Sequence, residues 1–208
     1  RKNAVNSAKS VQKLSLLVAA LALPLLVAQP AKAFIYGYTV ALDGPTEGNT
    51  SPGIGSGLIQ YDDVLHLLSL GFSFSGLTNA STGTSAAHIH AATPSPFSGT
   101  AGVATQTPYF TGFPIGVRSG NYTNSFDLTL ASSWNASYIT ANGGTTAGAE
   151  AALFSAMQSG RSYLNIHSGA FGGGEIRGFL VAIPEPSALA LVGCEADPQP
   201  HRVILMHR

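Results

Sequence analysis

Two histidines, His88 and His90, flank Ile89 in the segment AAHIHAAT, residues 86–93. Side chains alternate faces along a strand, so a strand here sends both imidazoles to one side and Ile89 to the other. Two side-by-side imidazoles are half of a zinc or copper site. A third candidate is His167, in YLNIH at residues 163–167. There Leu164 and Ile166 are the natural core residues, which leaves Asn165 and His167 on the other face. In GEIRGFL, Ile176 points inward and Glu175 and Arg177 outward. If these last two segments pair as a hairpin across residues 168–174, His167 comes near Glu175 or Arg177. The predicted site therefore has His88, His90 and His167 as ligands of copper or zinc, with Asn165, Glu175 and Arg177 supporting them. The same residues allow a purely structural arrangement, in which Asn165, Ser168 and backbone groups satisfy the imidazoles without a metal. The remaining histidines add little: His66 is placed in an apolar strand, and His201 and His207 in an atypical tail.

These side chains need strands to position them, and the pattern between residues 34 and 182 is mostly of period two. Strands are expected in FIYGYTVAL, in GLIQYDDVLHLLSLGFSFSGL with Asp62 and Asp63 at a turn, and in AAHIHAAT. Further strands are expected in VATQTPYF, NSFDLTLA, RSYLNIHS and GEIRGFLVAI. One helix is expected over residues 146–160, rich in Ala and Leu and closed by Gly160. Many short strands, Gly-rich turns and one short helix predict a mostly β chain, an antiparallel β-sandwich or barrel.

The ten basic and ten acidic residues cancel, which argues against electrostatic binding of nucleic acid. Charged residues make up 10% of the chain, low for a soluble domain and suited to a secreted β protein. The single cysteine, Cys194, excludes an internal disulfide. No nucleophile elbow, dinucleotide loop or phosphate loop is present, so no catalytic constellation is recognisable. Trp134, Phe97, Phe110 and Phe113 flank loops as core plugs or contacts for carbohydrate or protein.

The ends read as addresses. Residues 1–33 carry a basic start, an apolar run and Ala31-Lys32-Ala33, the pattern of a signal peptide. Residues 34–183 form the domain. IPEPSALALVG, residues 183–193, resembles the start of a PEP-CTERM sorting signal, which belongs to exopolysaccharide-producing Gram-negative bacteria. The resemblance then breaks, because Glu195, Asp197, Pro198 and Pro200 cannot lie in a bilayer-spanning helix. Residues 184–208 are thus either a shifted or truncated gene end or the tail of a protein that is released. Export to the periplasm, cell surface or medium is expected, with membrane contact only through targeting or a disrupted anchor.

Four segments occur in order: GSGLIQY, FSGLTNASTGTSAAHIHAAT, LFSAMQSGRSYLNIHS and GGGEIRGFL. Together they resemble the CHRD domain, first described in chordin and present in bacterial secreted proteins. The match runs from about residue 34 to residue 183. The resemblance implies an immunoglobulin-like β-sandwich or barrel and a non-enzymatic binding or extracellular-matrix module. An extracellular polysaccharide or envelope protein is the expected partner. The alternative is a small extracytoplasmic protein that binds copper or zinc. The His-Ile-His pair also resembles the copper-binding strand of copper/zinc superoxide dismutases. No further histidines complete a two-metal centre, so dismutase activity is not expected.

Overall fold

The structure, a computed structural model, describes residues 34–78 and 83–184. The expected signal peptide, and the expected sorting signal beyond Pro184, fall outside these residues. Eight strands form one antiparallel sheet that curls round its own core. They are β1 (Ile35–Asp43), β2 (Ile54–Asp62), β3 (Leu67–Ser75), β4 (Thr84–Ala91), β5 (Gly120–Asp127), β6 (Ser162–Ser168), β7 (Ile176–Phe179) and β8 (Val181–Ala182). The spatial order is β4-β6-β7-β1-β2-β3-β5, with β8 beside β1. The mostly β, antiparallel architecture expected from the alternation is therefore observed.

Period-two alternation decides which residues fill the concave side. Tyr38, Val40 and Leu42 of β1, Leu68, Leu70, Phe72 and Phe74 of β3, and Leu164 and Ile166 of β6 are all buried. Burying side chains of this size is the main force that closes the sheet.

The helical content exceeds the one helix expected. A single turn, α1 (Gly44–Glu47), follows β1; Asp43 caps it by accepting from the Thr46 N–H. The short α2 (Ala136–Ala141) precedes α3 (Thr146–Gln158). Helix α3 lays Ala149, Leu153, Ala156 and Met157 on the core. It ends just before the expected glycine. Gly160 is left-handed, its N–H donating to Met157 O while the Arg161 N–H donates to Ala156 O, a Schellman closure.

Three strand assignments are corrected. Residues 103–110 form no strand; only Val103 and Thr105 make isolated bridges. The hydroxyl of Thr105 accepts from the Ile89 N–H, and the segment lies along the open edge of β4 as irregular chain. Strand β5 ends at Asp127, because the Asp127 carboxylate caps a turn through the Thr129 N–H. Leu128 and Leu130 lie beyond it. His66 is in the turn between β2 and β3, exposed and left-handed at φ 53°, not in an apolar strand.

Candidate metal centre

Strands β4 and β6 are neighbours, and their register pairs Ala86 with His167, His88 with Asn165 and His90 with Tyr163. One face of this pair carries Ala87, Ile89, Leu164 and Ile166 into the core. The other face carries the three histidines. Their ring centroids stand 5.9 Å (His88–His90), 5.3 Å (His88–His167) and 5.8 Å (His90–His167) apart, nearly an equilateral triangle.

The expectation that this face looks outward is overturned. His88 and His90 are 6% and 7% exposed, Asn165 2%, Arg177 9% and Glu175 0%. His167 is half-buried at the rim. The cover comes from the irregular chain between β4 and β5, which also supplies hydrogen-bond acceptors. His88 Nε2 donates to Pro108 O at 2.7 Å, and His90 Nδ1 donates to Ala101 O at 2.9 Å. His167 Nδ1 donates to Gly172 O at 3.0 Å, in the loop before β7. A carbonyl oxygen only accepts, so each of these nitrogens holds the proton and the tautomer of each ring follows. The lone pairs are left on His88 Nδ1, His90 Nε2 and His167 Nε2. All three atoms are shut off from solvent and have no hydrogen-bond partner.

One ring nitrogen from each histidine lies within 4.8 Å of one from each of the others. Metal–nitrogen bonds of about 2.0–2.1 Å would need the cage to contract by roughly an ångström. The rings are also in the right protonation state. Burial chiefly, opposed by the carbonyl hydrogen bonds and aided by the neighbouring His167, holds the His88 and His90 imidazoles down at about 4. Burial lowers His167 too. Neutral imidazole is the form that binds metal.

The three expected supporting residues separate. Asn165 is in the cluster, directly across from His88, and its Oδ1 is buried without a partner. Its amide lies against Glu47 of α1, where Gly174 packs so closely that a Cβ would stand 2.5 Å from Asn165 Nδ2 and 2.7 Å from Glu47 Oε1. Arg177 makes no hydrogen bond to an imidazole among the described residues. Its Nε donates to Thr46 O at 2.6 Å and lies 3.5 Å from Glu47 Oε2. Its guanidinium sits 4.9 Å over the Tyr163 ring, and that ring stacks on His90 at 4.8 Å and 8°. Arg177 therefore holds His90 through Tyr163. Glu175 is corrected: its carboxylate accepts from Ser51 Oγ at 2.7 Å and from the Thr78 N–H, away from the histidines. The chain bends at the positive-φ Gly174 just before it, so simple alternation from Ile176 misplaces Glu175.

Sequence reasoning missed Glu47, Tyr163 and the carbonyls of Ala101, Pro108 and Gly172. The carbonyls have no side-chain signature. One signal was available: residues 92–119 separate β4 from β5, far beyond the roughly 12–15 residues at which an irregular connection becomes unusual and commonly functional. Of the four loop aromatics, Trp134, Phe110 and Phe113 are core residues and only Phe97 is exposed.

A curled antiparallel β domain with a buried, uncharged polar cluster between its His-x-His and Asn-x-His strands is what the geometry defines. The CHRD domain family matches residues 38–180, and the chain belongs to that family. CHRD is not a known enzyme family. No curated protein and no solved structure matches the chain.

Proposed function

We propose that this chain is an exported CHRD module that holds one copper or zinc ion on His88, His90 and His167. The observation that carries the reading is the convergence of three buried, unpartnered ring nitrogens, each on a ring whose other nitrogen is already bonded to a backbone carbonyl. Buried polar atoms in folded proteins nearly always find partners, and an orphan costs about 1–3 kcal/mol. Three facing one another are a donor set. The purely structural reading has backbone carbonyls on one nitrogen of each ring, as observed, and needs Asn165, Ser168 or a backbone N–H to donate to the other. None of the three nitrogens receives a hydrogen bond, so neither the Asn165 amide nor the Ser168 hydroxyl donates to them. The ion gives a non-enzymatic binding module a fixed, pre-organised centre, with the carbonyls fixing tautomers as outer groups do at metal sites.

Titration of the folded chain with copper or zinc, followed by desalting and elemental analysis, tests the reading. One ion per chain is expected, with a melting temperature that rises with free metal. At a thousandfold excess over Kd the gain is about 4 kcal/mol. Retention of no ion of either kind ends the proposal. Export and an extracellular polysaccharide or envelope partner are proposed from the terminal segments. Fractionation of cells, and pull-down from envelope material, are their separate tests.

A further inference from the structure

The cage also carries information about which ion it takes, and this step rests on the metal reading above. We infer that the site is built for copper(I): a three-coordinate, water-excluded centre of neutral imidazoles.

The donor count comes first. Among the described residues, three histidines converge and no carboxylate or thiol joins them. Zinc sites want four ligands, the fourth being water where the protein supplies three. A cuprous ion shares the filled d shell of zinc(II) but carries half its charge, and it is satisfied by three imidazoles. The solvent geometry agrees. The three free nitrogens have essentially no accessible surface, so the folded cage opens no fourth position to water.

Charge gives the third argument. The imidazoles are neutral, and their outer partners are carbonyls, not carboxylates. Arg177 is a cation stacked one ring away, over Tyr163. Glu47 lies beyond and is already beside the Arg177 guanidinium. The carboxylate of Glu175 is turned to Ser51 and Thr78. A divalent ion would therefore stand in a low-dielectric pocket with no anion to offset it. The cost of burying an ion rises with the square of its charge, so a monovalent ion is strongly favoured. Of the metals that imidazole suits, zinc, copper, iron and nickel, copper is the one readily held as a monovalent ion.

Entry is through the rim. His167 is the half-buried member, and its carbonyl partner is in the exposed glycines of residues 172–173. His88 and His90 are pinned on one strand under cover.

The test is an oxygen-free titration of the full folded chain with copper(I) supplied as its bicinchoninate complex. Parallel arms use zinc(II) and copper(II). The expected result is one copper(I) withdrawn per chain, three nitrogen scatterers in X-ray absorption, and at least tenfold weaker binding of both divalent ions. Equal or tighter zinc(II) binding with a fourth, solvent ligand overturns the copper(I) assignment and leaves the metal reading standing. Failure to bind any of the three overturns both. His167→Gln changes only the rim residue, so folding is checked by circular dichroism. It should drop copper(I) affinity at least tenfold with two nitrogen scatterers remaining. Unchanged affinity in that folded variant also overturns the inference.

Discussion

Two histidine environments in this molecule invite comparison. His66, in the β2–β3 turn, is exposed and places Nδ1 2.8 Å from the Glu150 carboxylate. That hydrogen bond and charge raise its pKa. His88 and His90 are buried, face carbonyls and one another, and are pushed down to about 4. The residue type is the same and the chemistry is opposite. A carboxylate partner favours the cationic form of an imidazole. A carbonyl on one nitrogen and burial on the other make it a neutral ligand with a fixed lone pair. The difference comes from the covering chain of residues 92–119, since an open β4–β6 face would leave the rings solvated.

The largest break in this contrast comes from the double variant His88→Ala/His90→Ala, which should abolish metal retention measured by elemental analysis. The His66→Ala variant should retain the full complement.

A pH titration sharpens the contrast next. For His88 and His90 the folded pKa lies below the unfolded value near 6.5. The unfolded chain therefore binds more protons in between, and stability is full above about 6.5 and falls toward pH 4. The loss for the pair is on the order of a few kcal/mol, and urea melts from pH 7 to 4 should record it. His66 has the opposite sign: its raised pKa contributes below the unfolded value and fades as pH rises through the folded one. The His66 ring is largely exposed, so solvent screens that contribution to a small one.

Gly174→Ala is expected to follow. Its φ of 137° and the 2.5 Å approach to Asn165 Nδ2 leave no room for a methyl group. A loss of about 1–3 kcal/mol should appear in melts. The smallest effect is expected for His66→Gln, a shift of melting temperature near the error of the measurement at pH 8.

Much of the fold was legible because alternation survives in β1, β3, β4 and β6. The three histidines and Asn165 were legible for the same reason, since a period of two places each on one face. Burial was not legible. It depends on irregular chain that carries no periodicity and acts through main-chain oxygens at Ala101, Pro108 and Gly172. Glu175 shows the limit of alternation, because a single left-handed glycine before it turned the carboxylate to another neighbourhood. Tyr163 shares the period-two face of Asn165 and His167, but its stacking between His90 and Arg177 depends on register, which only strand pairing fixes.

Long-range imidazole nitrogen NMR on histidine-labelled protein tests the central claim most directly. Spectra would be recorded before and after one equivalent of copper(I) or zinc(II). The account predicts free lone pairs on His88 Nδ1, His90 Nε2 and His167 Nε2, and those three resonances alone moving on addition of the ion while His66 stays fixed. Protons on any of those three nitrogens at pH 7.5, or resonances of the trio unmoved by either ion, would contradict it.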